Sequence, residues 1–326
     1  MYYILLFVAA ILFSGQFIFT KTFQKYNGDS LKTTLKLIFF SYVTIAVFFF
    51  IKAQIGADTF RFGFSWFTLA MTFGIAVISI SCVYLGVKVL GIGNTSVYST
   101  FMMVGSMVLP SLVGILVYNE TEKLGLKLIA IAVMLSATVF TTGDDQTKSN
   151  KKAILYYIGV FLLNGLIGVL FTVHQNQPEL SAYCELVNGQ MQSNSDVFMS
   201  WYGISTAMLS GVVLFVFNLL EKKKSNVQSS LETTANKGID RIKNFLPSLL
   251  VAIGYGVFNG MGNYFIAIST VKVGSSVTFP IVNGGTILVS TLFGLFLYKE
   301  KAGWKTWVGC MLVLIATVLF ALAQPV

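Results

Sequence analysis

Long apolar stretches follow one another along this chain, separated by short polar ones. Ten of them stand out, at approximately 2–20, 33–51, 64–87, 96–118, 124–140, 153–173, 197–220, 245–270, 275–298 and 303–323. Each is close to the 20 or so residues that a helix rising 1.5 Å per residue needs to cross about 30 Å of hydrocarbon. The runs are continuous rather than alternating, which predicts helices and argues against a barrel of alternating strands of about ten residues. The pattern predicts an all-α integral membrane protein with ten transmembrane helices, its first partner being the lipid bilayer.

Composition supports this reading: 55% of residues are hydrophobic and 11% are charged, where a soluble domain carries about a quarter charged. The formal net charge of +9 resides on lysines that flank the apolar stretches, so it does not point to nucleic acid. Its distribution is informative. Of the 22 lysines and arginines, 17 fall in the connections after helices 1, 3, 5, 7 and 9, and 5 fall in the set that contains both termini. The positive-inside rule then places the Lys222–Lys224 loop in the cytoplasm and both termini outside a cytoplasmic membrane. The loop from His174 to Asp196 has no lysine or arginine and goes outside with the termini. Cys82, Cys184 and Cys310 are too dispersed to suggest a disulfide framework or a metal centre, and no cofactor is expected.

The chain also matches itself. Shifted by 180 residues, Gly74 to Phe140 aligns without a gap on Gly254 to Phe320, and Tyr84, Ser96, Gly105, Gly114, Tyr118 and Glu120 meet identical residues. A shift of 150 pairs Leu12–Gly15 with Leu162–Gly165. Two five-helix halves follow, 1–145 and 150–326. Five is odd, so the second half threads the membrane in the opposite sense, a 5+5 inverted-topology repeat of the kind that builds secondary transporters around a midplane site.

Polar side chains at mid-membrane depth are costly and tend to face an interior cavity. On helix 8, Tyr255, Asn259 and Asn263 recur at four-residue spacing on one face. Helix 1 adds Ser14 and Gln16, and helix 6 adds Asn164. These groups either meet a substrate or knit helices together through hydrogen bonds. Helix 9 places Pro280, Asn283, Gly284 and Gly285 within six residues, and helix 4 contains Pro110. Proline and glycine there offer a kink or gate with exposed carbonyls, or else close helix packing. No carboxylate falls in mid-helix, and His174 stands at the end of helix 6.

The runs GILVYNE (Gly114–Glu120) and GLFLYKE (Gly294–Glu300) close helices 4 and 9. Each glutamate precedes a helix start, where the dipole favours negative charge, so Glu120 and Glu300 read as paired structural turns. Together with the inverted repeat and short helices 5 and 10, these runs resemble the drug/metabolite transporter superfamily, EamA-like branch. The resemblance implies that helices 1, 3, 4, 6, 8 and 9 surround a central cavity with helices 5 and 10 outside, and it supports Gln16, Asn164 and Asn263 as lining residues. The turn departs from the family's usual Gly-Glu, being Asn119-Glu120 and Lys299-Glu300. The expected function is secondary transport of a small metabolite or amphipathic organic solute by alternating access. A channel or uncoupled facilitator is the alternative, and an integral-membrane enzyme is less favoured because no HExxH, GxSxG or aspartate-rich phosphate motif is present.

Overall fold

The computed structural model describes residues 2–28, 30–55, 57, 59–90, 95–142, 151–187, 189–225, 234–297 and 303–323. Ten α-helices fill almost all of it: α1 Tyr2–Asn27, α2 Leu31–Gln54, α3 Trp66–Leu90, α4 Thr95–Leu116, α5 Leu124–Thr142, α6 Lys151–Gln175, α7 Ser195–Ser225, α8 Thr234–Val273, α9 Ser275–Leu297 and α10 Trp304–Leu322. Each apolar stretch of the sequence is the body of one helix. The exception in extent is α8, which begins at Thr234 instead of near 245. Residues 234–244 carry Lys237, Asp240, Arg241 and Lys243, so a polar helical segment precedes the apolar one and hydropathy alone does not register it.

By length and composition seven of the helices suit a membrane crossing, namely α1, α2, α3, α6, α7, α8 and α9. The apolar parts of α4, α5 and α10 are shorter, at Thr100–Leu116, Leu124–Ala137 and Trp307–Leu322. Large apolar side chains such as Phe7, Phe50, Leu155, Leu246 and Met311 are exposed on the outer surface, as a lipid environment requires. Within the helices, hydroxyls bond back to backbone carbonyls one turn earlier, as Ser14 does to Ala10 at 2.8 Å and Thr72 to Thr68 at 2.8 Å. That satisfies them without water.

A second departure from the all-helical expectation lies in the 174–196 loop. It holds a short 3₁₀ turn, Pro178–Leu180, and an antiparallel hairpin of β1 (Cys184–Val187) and β2 (Gln190–Ser193), in register Cys184 to Ser193 and Val187 to Gln190. The connection contains Asn188-Gly189, a dipeptide suited to tight hairpins, and Gly189 adopts φ 79°.

Helix packing follows a regular scheme. α1 lies against α8 and α9, while α6 lies against α3 and α4; α2 contacts α8 as α7 contacts α3; and α2 meets α7, α4 meets α9 and α5 meets α10. Exchanging the first five helices with the last five turns each of these pairings into another of them or, for α2–α7, α4–α9 and α5–α10, into itself. The tightest approaches need glycine: a Cβ on Gly105 of α4 would collide with the Phe161 carbonyl of α6. Two buried clusters result. One, around Leu6, Ile45, Phe49, Ile75, Phe198 and Met199, joins α1, α2, α3, α6, α7, α8 and α9. The other, around Met107, Met134, Ala316 and Phe320, ties α5 and α10 to α4, so α5 and α10 stand apart from the first cluster.

Contacts between helix ends define two faces. On the face of the hairpin, Ser65 donates to the Leu180 carbonyl at 2.5 Å, Trp201 to the Gly63 carbonyl at 2.9 Å, and Lys123 to the Leu322 carbonyl at 3.0 Å. On the opposite face Asn27 donates to Ser248 at 2.8 Å and Lys32 pairs with Glu221. The described beginning of α1 and the end of α10 therefore share the hairpin's face, the grouping that the charge count assumes.

Candidate functional site

A cavity of about 220 Å³ lies midway between the two faces. Eight helices contribute to it, and α5 and α10 do not. Six of the polar residues singled out in the sequence line it: Gln16 from α1, Asn164 from α6, Tyr255, Asn259 and Asn263 from α8, and Asn283 from α9; Ser14 does not, its buried hydroxyl lying against the Ala10 and Thr286 carbonyls. The four-residue spacing on α8 does place its three residues on one cavity-facing stripe. Among the described lining residues none is Asp, Glu, Lys, Arg or His.

The orientation of these amides is dictated by their partners. A backbone carbonyl only accepts, so a carboxamide bonded to one must present its NH₂ group. Asn164 donates to the Met102 carbonyl at 2.7 Å, Asn283 to the Phe279 carbonyl at 3.0 Å, and Asn263 to the Asn259 carbonyl at 2.9 Å. The same Asn263 NH₂ lies 3.1 Å from Asn259 Oδ1, which therefore accepts, and Asn259 Nδ2 donates to Gln16 Oε1 at 2.8 Å. One backbone carbonyl thus fixes the polarity of the whole Asn263–Asn259–Gln16 string, which links α8 to α1. The carbonyl oxygens of Asn164, Asn263 and Asn283 are left without a partner among the described residues, and so is Gln16 Nε2.

The cavity also holds residues that the sequence reading missed. Tyr42 of α2 and Tyr202 of α7 both line it, their hydroxyls 2.7 Å apart and their rings packed edge to face at 5.1 Å. The resemblance left helices 2 and 7 out of the lining set, but a tyrosine in the middle of an apolar stretch was the available signal. Phe13, Phe171 and Phe279 supply flat apolar walls. The aromatic residue at position 264, by contrast, leaves the cavity for the hairpin face, where its hydroxyl accepts from Lys52 at 2.9 Å.

Neither Pro110 nor Pro280 interrupts its helix, and neither lines the cavity. Pro110 is buried against Gly168 of α6. Gly284 has no room for a side chain because Thr317 of α10 presses on it, and Gly285 lies against Ala10 of α1. Both glycines serve close packing. Glu120 is a turn residue, but its carboxylate does not serve the helix that follows it in sequence. It caps α9 from the other half of the chain: Oε1 accepts from Ser275 N at 3.0 Å and Ser275 Oγ at 3.1 Å, and Oε2 from Ser276 N at 2.9 Å. Asn119 takes φ 54°, a left-handed conformation that asparagine tolerates, and so aims the next side chain inward. The Ser275 hydroxyl also packs where a Cβ on Gly114 would sit. Glu300, the counterpart, lies outside the described residues.

Between the cavity and the hairpin face lies a buried layer of Phe49, Phe198, Met199 and His174. His174 stacks on Phe198 at 4.1 Å between ring centroids, and its Nε2 meets Thr68 Oγ1 at 2.9 Å. Beyond this layer Lys52 of α2 bonds Asp196 of α7 at 2.7 Å, with the Tyr264 ring 4.1 Å away.

A solved crystal structure, described only as that of a protein, shares the fold: the TM-score is 0.60 at 12% identity, over 98% of this chain and 96% of that one. None of the curated proteins matches the chain. Residues 190–322 match the EamA-like transporter family. That match covers less than half of the chain, and over it the chain is similar to the EamA-like transporter family, a branch of the drug/metabolite transporter superfamily.

Proposed function

We propose that this protein is a secondary carrier that moves a small organic solute across the cytoplasmic membrane by alternating access, using the central cavity as its binding site. Its ten helices form two inverted five-helix repeats, 1–145 and 150–326, that rock about that site. The observation that carries this reading is the cavity itself: six mid-helix polar side chains from α1, α6, α8 and α9 gather in one place at mid-depth, where unshared polar groups are costly. The helix pairings, which map onto themselves when the halves are exchanged, and the self-match at 180 residues support the repeat.

A carrier shows saturable flux in proteoliposomes that is accelerated by solute on the far side. Flux that rises linearly with concentration and shows no trans-stimulation makes the protein a channel instead. The charge bias orients the hairpin face outward. In a background without Cys82, Cys184 and Cys310, a cysteine replacing the exposed Met191 at the hairpin is labelled in intact cells by an impermeant reagent. Labelling only after the cells are opened reverses the orientation.

A further inference from the structure

The lining of the central cavity restricts the charge of the solute, given that this cavity is the transport site. Its described polar groups are carboxamides, hydroxyls and one thiol, and neither an acidic nor a basic side chain is among them. Helix ends do not take the place of charges. Carriers can meet ionic groups with the ends of helices broken at mid-membrane depth, but all eight helices that line this cavity run past it without a break. The ion pairs between α2 and α7, Lys52 with Asp196 and Lys32 with Glu221, stand at the two faces and are each self-compensating.

Nor are the dipoles in the lining free to turn toward an ion. Asn164, Asn263 and Asn283 are each held through their NH₂ groups by a backbone carbonyl, and the Tyr42 and Tyr202 hydroxyls hold one another. What they leave unshared is mixed. Carboxamide oxygens accept, while the second N–H of Asn164 and of Asn283, together with Gln16 Nε2, donates. An ion of either sign therefore gives up its hydration, finds no counter-charge and meets dipoles of both senses. The faces of Phe13, Phe171 and Phe279 attract a cation, but by less than the loss of its hydration opposes it. A neutral group that both donates and accepts pairs with both kinds of partner. We propose that the site selects uncharged solutes that carry a hydrogen-bond donor and acceptor together beside a flat apolar body, as an arylacetamide does, over both the amine cation and the carboxylate anion of the same skeleton.

The test uses two matched trios: phenylacetamide, 2-phenylethylamine and phenylacetate, and indole-3-acetamide, tryptamine and indole-3-acetate. Each compound is titrated at pH 7 into the purified protein in detergent and the unfolding temperature is followed, which a ligand of the folded state raises. The amide of at least one trio gives its shift at a concentration at least about tenfold below that needed by either ion, a ratio that a charge left without a partner exceeds. Asn164→Leu and Asn283→Leu each weaken amide binding about tenfold, whereas Ser136→Ala, at an exposed position on α5, leaves it unchanged. Gln16→Glu keeps the oxygen that accepts from Asn259 and adds the missing counter-charge, so the amine binds about tenfold tighter and the carboxylate no better. Either ion binding as tightly as its amide, no shift with any of the six compounds, shifts that persist in both leucine variants, or an amine affinity unchanged by Gln16→Glu each overturn the assignment. Counterflow of the same compounds separates this selectivity from the carrier reading. Trans-stimulated exchange of an ion in preference to its amide removes the selectivity and keeps the carrier; binding of the amides without any trans-stimulated flux removes the carrier and keeps the selectivity.

Discussion

Replacing Glu120 tests whether the turn after α4 holds α9 in place. The carboxylate accepts three hydrogen bonds within 3.1 Å, two from the first backbone N–H groups of α9 and one from the Ser275 hydroxyl. Losing an N-terminal cap costs about 1 kcal/mol, and a negative charge at a half-buried helix start adds up to about 2 kcal/mol. Glu120→Ala is therefore expected to destabilise the protein by about 3 kcal/mol. Glu120→Gln keeps one acceptor oxygen but loses the charge, and about 2 kcal/mol is expected. Because Ser275 Oγ also lies 3.3 Å from the Pro110 carbonyl, it has a second acceptor, and Ser275→Ala costs only about 1 kcal/mol. Reversible unfolding in mixed micelles measures all three, and the Glu120–Ser275 double-mutant cycle isolates a coupling of about 1 kcal/mol. A Glu120→Ala protein within about 0.5 kcal/mol of wild type, the range of an indifferent surface change, refutes the cross-half cap. So does a glutamine variant as unstable as the alanine one.

Three other outcomes follow from the structure. Asn259→Leu severs the string at its middle and leaves Gln16 Oε1 and Asn263 without their side-chain partner. It lowers the rate of solute counterflow about tenfold, while the cost in stability stays near the membrane average of about 0.6 kcal/mol; unchanged kinetics counts against the string. Gly105→Ala drives a methyl group into the Phe161 carbonyl, backbone against backbone, and is expected to cost about 1–3 kcal/mol as overpacking does; a melting temperature equal to wild type refutes the close approach. Lys52→Met leaves Asp196, with a side chain 16% exposed, without its cation, whereas Lys32→Met strands Glu221 at 59% exposure. The first opens the hairpin face and raises impermeant labelling of a cysteine at Ile266 from that side about tenfold, corresponding to a shift of about 1.4 kcal/mol between states; the second leaves it within twofold, and equal rates in both reject a closing role for the Lys52–Asp196 pair.

Helix existence was legible because lipid imposes one rule, that every backbone group bond within its own segment, and that rule leaves a continuous apolar signature. The start of α8 was illegible for the same reason: past the bilayer the rule lapses, and a helix containing Lys237, Asp240 and Arg241 has no hydropathy signal. The candidate site was legible where polarity interrupts apolar periodicity, as at Tyr255, Asn259 and Asn263. Tyr42 and Tyr202 escaped notice because one tyrosine in an apolar run has no periodic partner on its own helix; its partner is on another. Glu120 shows a further limit. Sequence placed it at a helix start and assigned it by proximity to α5, but the chain folds α9 against the α4 turn, and Asn119 and Gly114 aim and admit the contact. Local grammar identified the residue's role and only tertiary structure identified its client.

The α2–α7 pair ties the static cavity to the motion proposed for it. Under exchange of the two halves these helices replace one another, so their mutual contact lies on the axis about which the halves would move. Each end of that contact carries a lysine of α2 facing a carboxylate of α7: Lys52 with Asp196 at the hairpin face, and Lys32 with Glu221 at the other. The two pairs are unequal. Asp196 is largely buried, and Lys52 also bonds the Tyr264 hydroxyl and lies over its ring, whereas Glu221 is mostly in solvent, where an ion pair is worth about 0–1 kcal/mol. Buried pairs resist breaking because one partner is left uncompensated. The hairpin face is therefore the more strongly fastened one of the two, in agreement with the buried side chains of Phe49, His174, Phe198 and Met199 beneath it. Opening that face would have to offset the loss of both the Lys52–Asp196 pair and the contacts of the aromatic layer, whereas opening the other would break only the exposed Lys32–Glu221 pair between these two helices.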